Sequence, residues 1–175
     1  MARNVEIKAR CGDPARCRKL AERFSDKGPE ILQQVDTFFY CNEGRLKLRE
    51  FEDGTGELIH YLRDAGTAPT ESRYIITPIA KPDLLKESLS RALGVRASVR
   101  KRREVYFSGR TRIHIDEVEA LGTFVELEVV LIDGELQASG MDDAYQLMKA
   151  LEIQKDDLVD ASYVDLLEEN LGLGD

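Results

Sequence analysis

With 175 residues, 42% of them hydrophobic and 33% charged, the chain is long enough for one domain with a sizeable core. Its net charge of -8 argues against a general nucleic-acid binder, which needs a broad basic surface. No stretch approaches the roughly 20 apolar residues of a membrane span, and no apolar leader opens the N-terminus.

The first strand is predicted from Asn4 to Arg10. Asp13-Pro14 then supplies a helix cap and first helical position, and Cys17, Leu20, Ala21 and Phe24 follow at helical spacing, predicting a helix that ends near Gly28. Strands follow at Gln33 to Tyr40, Arg45 to Phe51 and Glu57 to Arg63. The turns between them are Asn42-Glu43-Gly44 and Asp53-Gly54-Thr55-Gly56. Ala65 to Pro69 reads as a loop before a strand at Glu71 to Thr77. Pro82 opens a second helix, with Leu84, Leu85, Leu89 and Leu93 on one face and Gly94 past its end. Strands at Val95 to Phe107 and Arg110 to Val118 meet at Ser108-Gly109, and Leu121-Gly122 bends into a long strand from Thr123 to Ile132. Asp142-Asp143 read as the cap of a third helix with Ala144, Leu147, Met148 and Leu151 inward. A last helix, about Asp157 to Leu171, carries Val159, Tyr163, Leu166 and Leu167. No repeat or linker divides the chain, so residues 1–175 read as a single domain. Cys11, Cys17 and Cys41 are odd in number and lack C-x-x-C spacing, so they read as reduced thiols of a cytoplasmic protein.

About eight strands in sequence, joined by short turns, make a mainly antiparallel α+β arrangement. A sheet of this size tends to close on itself, because closure removes edges. The strands alternate large apolar residues with charged ones, which gives each two unlike faces. Sorted by parity, Asn4, Glu6 and Lys8 share a face. So do Lys47 with Arg49, Tyr61 with Arg63, Glu71 with Arg73, Lys101 with Arg103, and Glu126 with Glu128. Arg112, His114 and Asp116 form another set. If the helices cover the apolar faces, the charges point into the barrel.

A single charged strand face is more often solvated surface. On the same footing, His114 between two isoleucines reads as a packed or hydrogen-bonded histidine rather than a base, and Asp36 as a strand-end turn residue. The ensemble reads differently. Lys8, Lys47, Arg49, Arg63, Arg73, Lys101 and Arg103 offer many donors to phosphate oxygens. Glu6, Asp116, Glu126 and Glu128 offer hard oxygen ligands suited to Mg²⁺ or Mn²⁺. Cations that offset phosphate charge, beside carboxylates that hold a metal, are what phosphoryl chemistry requires.

The motifs Glu6-Ile7-Lys8, Leu46-Lys47-Leu48-Arg49-Glu50, Tyr61-Leu62-Arg63 and Lys101-Arg102-Arg103 resemble the CYTH family, the triphosphate tunnel metalloenzymes, over nearly the whole chain. Arg112-Ile113-His114-Ile115-Asp116 and Gly122-Thr123-Phe124-Val125-Glu126-Leu127-Glu128 are similar to its class IV adenylyl cyclase-like branch, as is Ser162-Tyr163-Val164-Asp165-Leu166-Leu167. The resemblance implies a closed eight-stranded antiparallel β-barrel with helices packed outside and a charged tunnel inside. It implies an enzyme that binds a nucleoside or inorganic triphosphate there with Mg²⁺ or Mn²⁺. Glu6, Asp116 and Glu126 would be catalytic and, with Glu128, metal-binding. Lys8, Lys47, Arg49, Arg63, Arg73, Lys101 and Arg103 would hold phosphates. Asn4 stands where the family signature has its first glutamate, which removes one charge from the metal site. Two reactions suit such a tunnel: an adenylyl cyclase converting ATP to cyclic AMP and pyrophosphate, toward which the motifs lean, or a triphosphatase acting on thiamine triphosphate or tripolyphosphate. A non-catalytic polyphosphate binder is the rival of a different class. The expected partner is a small-molecule triphosphate, with no nucleic acid and no membrane, and a homodimer is left open.

Overall fold

The computed structural model describes residues 1–63 and 69–172, so the predicted loop at Ala65 to Pro69 lies, Pro69 apart, outside the described residues. Its elements in order are β1 (Ala2–Arg10), α1 (Pro14–Arg23), β2 (Lys27–Phe39), β3 (Arg45–Phe51), β4 (Gly56–Arg63), β5 (Thr70–Ile79), α2 (Pro82–Leu93), β6 (Val95–Ser108), β7 (Thr111–Val118), β8 (Gly122–Leu131), α3 (Gln137–Ala150), a 3-10 turn (Lys155–Asp157) and α4 (Tyr163–Leu171). The eight strands close into one antiparallel barrel in the order β1-β5-β4-β3-β2-β6-β7-β8, with β8 pairing back to β1.

Alternation decides what faces out. Val5, Ile7, Ile113, Ile115, Val125, Leu127 and Val129 are each at most 4% exposed and pack with Ala21, Ala144, Met148 and Leu151 of the helices in one cluster. Burying each such side chain contributes about 1.5–3 kcal/mol, so the outer surface of β1, β7 and β8 is the main core. α3 lies on β1 and β8, α1 touches β2 and β7, and α2 touches β2 and β3. Gly140 permits the close seat of α3: a Cβ there would stand 2.7 Å from Leu131 Cδ2 and 2.8 Å from Val5 Cγ2.

Several boundaries differ from the sequence reading, each for a tertiary reason. β2 starts at Lys27, well before Gln33, because the long strand β6 offers partners as far as Phe107; accordingly α1 stops at Arg23. α3 starts at Gln137, and Asp143 sits within it, where it accepts from Arg110 Nη2 at 2.6 Å instead of capping the helix. The predicted last helix is broken. After the 3-10 turn, Leu158 bridges Ala9 and Val159 N donates to Lys8 O at 2.9 Å; α4 then restarts behind a capping box of Ser162 and Asp165. On α2, Leu84 and Leu93 are exposed, so only part of its predicted apolar face packs. Cys11 and Cys17, expected as thiols, are joined in a disulfide across the turn from β1 to α1. No helix among the described residues is long and apolar enough to cross a membrane.

α4 and Ser162 before it cover one end of the barrel. Tyr163, Val164 and Leu166 are buried there among Phe38, Val99 and Phe124, with the Tyr163 and Phe124 rings 5.0 Å apart and edge-on.

Candidate active site

The barrel encloses a cavity of about 360 Å³. Period two sends alternate side chains of each strand into it. Asn4, Glu6 and Lys8 come from β1, Asp36 from β2, Lys47 and Arg49 from β3, and Arg63 from β4. Lys101 and Arg103 come from β6, Arg112 and His114 from β7, and Glu126 and Glu128 from β8.

One wall is basic. Asp36, 2% exposed, accepts Lys47 Nζ at 2.8 Å and a two-pronged grip from Arg49, with Nε to Oδ1 and Nη2 to Oδ2 both at 2.8 Å. Lys101 Nζ stands 3.9 Å from the same carboxylate. Burial works to raise the pKa of Asp36, but Arg49, Lys47 and Lys101 outweigh it and hold the group well below the usual carboxylate range. Lys101 is pushed down to about 7, by burial and then by the Arg103 charge.

The opposite wall is acidic. Glu6 and Glu128 are direct cross-strand neighbours, a like-charge pair. Burial and then Glu128 push the Glu6 carboxyl up to about 7, against the pull of Arg63, whose Nε is 3.7 Å away. Glu126 takes Arg103 Nη2 at 2.6 Å and Lys8 Nζ at 3.1 Å, and these cations keep it well below its ordinary range despite burial. Glu128 takes Arg112 Nη2 at 2.9 Å through Oε2. His114 Nδ1 lies 3.7 Å from both Glu126 Oε2 and Glu128 Oε1. Burial and the Arg103 charge lower the pKa of its imidazole.

Arg103 joins the walls. Its Nε and Nη2 grip Asp116 at 2.7 and 2.5 Å while Nη2 also reaches Glu126. Asp116 is 0% exposed and does not line the cavity. Besides Arg103 it accepts the Tyr163 hydroxyl at 2.9 Å, and Arg103 with Lys101 holds it down at about 2 against the effect of burial. Its place in the fold is behind Arg103, as an anchor for the guanidinium. Tyr163 also sets its ring 4.1 Å from Lys8 Nζ and 5.1 Å from Lys101 Nζ.

Of the residues expected at the site, the structure brings Glu6, Lys8, Lys47, Arg49, Arg63, Lys101, Arg103, Glu126 and Glu128 into the cavity. Arg73 is a correction. The β1–β5 register pairs it with Arg3 on the outer surface, where it is exposed, while its neighbours Ser72 and Tyr74 point in. Four contributors were missed, among them His114, which read as a packed histidine and yet lines the cavity. Asp36 looked like a turn residue, yet it sits opposite Arg49 in the β2–β3 register. Arg112 shares its parity with His114 and was legible on that ground. Tyr163 looked like an ordinary core residue of a helix.

The acidic wall fits a divalent cation. One ring nitrogen of His114 and one oxygen each of Glu126 and Glu128 lie within 4.8 Å of one another. Glu6 beside them holds a proton up to about pH 7 because of burial and then the Glu128 charge, and Asn4 Oδ1 is buried without a hydrogen-bond partner. Crowded carboxylates and an unused amide oxygen are a hard-ion donor set.

A CYTH domain match spans residues 2–163. A Methanocaldococcus jannaschii protein, provisionally named an adenylate cyclase, is 37% identical over 68 residues, which is 39% of this chain and 39% of that protein. Among solved structures, a Pyrococcus horikoshii protein superposes with a TM-score of 0.84 at 20% identity, over 93% of this chain and 98% of that one. A Hippeastrum protein, provisionally named an adenylyl cyclase and described as having a dominant triphosphatase activity, superposes with a TM-score of 0.64 at 17% identity, over 97% and 96% of the two chains. At such identities the structural likeness is one of fold.

Proposed function

The chain belongs to the CYTH family, and on that premise we propose that it is a divalent-metal-dependent enzyme that breaks a phosphoanhydride bond of a triphosphate held in its barrel. The observation that carries this is the meeting of two walls in one cavity. Lys47, Arg49 and Lys101 line one side and Glu6, Glu126 and Glu128 the other, with Arg103 joining them.

The charges set the terms of binding. The cavity is lined by seven cations and six carboxylates, and Asp116 behind Arg103 brings the carboxylates to seven. This balance favours a stable barrel, since unpaired buried charge is costly. A triphosphate adds about four negative charges at neutral pH, which an already balanced barrel does not neutralise, so it enters best with a metal cation. Arg49, pinned on Asp36 through Nε and Nη2, keeps Nη1 for a phosphate oxygen. Lys101, near its midpoint at about 7, gains its proton fully when an anion arrives beside it. Glu6, Glu126 and Glu128 would hold the metal, Mg²⁺ or Mn²⁺. When bound, that ion polarises a phosphoryl oxygen and offsets charge on the leaving group.

Cyclisation of ATP is the reading we favour, on the motifs shared with the cyclase-like branch and on the provisional name of the M. jannaschii relative. The ribose 3′-hydroxyl oxygen bonds to the α-phosphorus, the bond from that phosphorus to pyrophosphate breaks, and the hydroxyl proton is released. Hydrolysis at the terminal phosphorus is the second reading, supported by the activity described for the Hippeastrum protein of the same fold. Incubating the purified protein with Mg²⁺ or Mn²⁺ and ATP, thiamine triphosphate or tripolyphosphate tests both. Cyclic AMP with pyrophosphate supports cyclisation, and orthophosphate supports hydrolysis. Tight metal-dependent binding without turnover would replace the enzyme with a polyphosphate-binding module.

A further inference from the structure

We propose that His114 is a nitrogen ligand of the metal in this barrel and that it tilts the site toward a first-row transition ion such as Mn²⁺ or Co²⁺ and away from Mg²⁺. The inference rests on the reading above that the barrel holds a divalent cation.

His114 lies in β7 between Ile113 and Ile115, both packed into the outer core. Alternation therefore turns the imidazole inward, where it lines the cavity at 3% exposure. Its Nδ1 is buried and has no hydrogen-bond partner. A buried polar nitrogen in that state carries a cost that a ligand would remove. Each carboxylate oxygen facing it is 3.7 Å away, too far for a hydrogen bond. Two donors each about 2.1 Å from one ion stand about 3.0 Å apart at a right angle and about 4.2 Å apart in line. The observed spacing falls inside that range, so the donors suit a shared cation. Arg112 occupies the other oxygen of Glu128 and leaves Oε1 turned to His114. Asn4 Oδ1 is a second cavity-facing donor without a partner.

The selectivity follows from the ligand type. Mg²⁺ takes oxygen ligands and retains its waters, whereas imidazole nitrogen favours the transition ions. A site of oxygen donors alone lacks that bias.

Pulsed electron paramagnetic resonance of the full chain loaded with Mn²⁺, alone and with tripolyphosphate, tests the assignment directly. Modulation from an imidazole ¹⁴N is expected in the wild type and is lost in His114→Gln, which keeps a polar side chain but offers oxygen. By competition titration, His114→Gln should weaken Mn²⁺ at least tenfold and leave Mg²⁺ within threefold. Bound Mn²⁺ without imidazole modulation in the wild type would overturn the role of His114 and leave the metal reading standing. Equal weakening of both ions in a folded variant would overturn the selectivity. Absence of Mn²⁺ binding under either condition would remove the metal reading and this inference with it. The wild-type spectrum decides the ligand even if His114→Gln does not fold.

Discussion

On the β2–β3–β6 wall one carboxylate, Asp36, serves Lys47, Arg49 and Lys101, while on the β1–β8 wall three carboxylates, Glu6, Glu126 and Glu128, share Lys8, Arg63, Arg103 and Arg112, little more than one cation each. The two walls respond to burial in opposite senses. Burial and then the Arg103 charge push Lys101 down to about 7, and burial and then the Glu128 charge push Glu6 up to about 7. A metal triphosphate would set phosphate oxygens against the first wall and a cation against the carboxylates of the second. Arg103 spans the gap and holds Asp116 and Glu126 in one geometry.

The comparison breaks most visibly at that bridge. Arg103→Met should cost about 3–5 kcal/mol of stability, because Asp116 is left buried without its guanidinium partner, with only Lys101 and the Tyr163 hydroxyl beside it. Adding Asp116→Leu should restore much of the loss, and urea midpoints of the two variants check this. A cost below about 1 kcal/mol for the single variant would mean that the bridge does not hold the walls together.

Next comes Glu126→Gln, which alters the acidic wall with little change of shape. Turnover should fall by about 100-fold or more, with the melting temperature little changed; comparable kcat values would remove Glu126 from the reaction. Smaller again is Arg49→Met on the basic wall. It should weaken tripolyphosphate binding by about 10- to 100-fold, the scale of a hydrogen bond to a charged group. Arg73→Ala, outside the barrel, should leave that affinity within about twofold. Calorimetry on the pair separates inside from outside, and equal losses would contradict the register.

The smallest effect is on pH. Between the ordinary glutamate value of 4.5 and about 7, the folded protein keeps a proton on Glu6 that the unfolded chain has lost, so this contribution to stability declines as pH rises. Between about 7 and the ordinary lysine value of 10.5, the unfolded chain holds a proton that folded Lys101 lacks, so stability recovers as pH rises. Melting temperatures of the metal-free protein should therefore dip near neutral pH relative to a Glu6→Gln, Lys101→Met double variant. Divalent metal should flatten the acid side of the dip, and a profile parallel to that of the variant would show that the walls are not charge-strained.

Strand parity is a local property, so the chain's own order of residues determined the β-barrel class and placed Lys47 with Arg49, Lys101 with Arg103, and Glu126 with Glu128 on shared inward faces. The same reasoning failed on β5. Both of its faces carry polar residues, and only pairing with β1 showed that Ser72 points in and Arg73 out. It failed on Asp36, whose meaning lies in the strand opposite. It placed Asp116 inward but could not see that Arg103 and Tyr163 seal it from the cavity. The last helix began elsewhere because a backbone bridge to β1 interrupts the approach to α4. Alternation along one strand sorts side chains into two faces. Which charges meet across the cavity depends on barrel closure and strand register, and these bring together residues far apart in the chain.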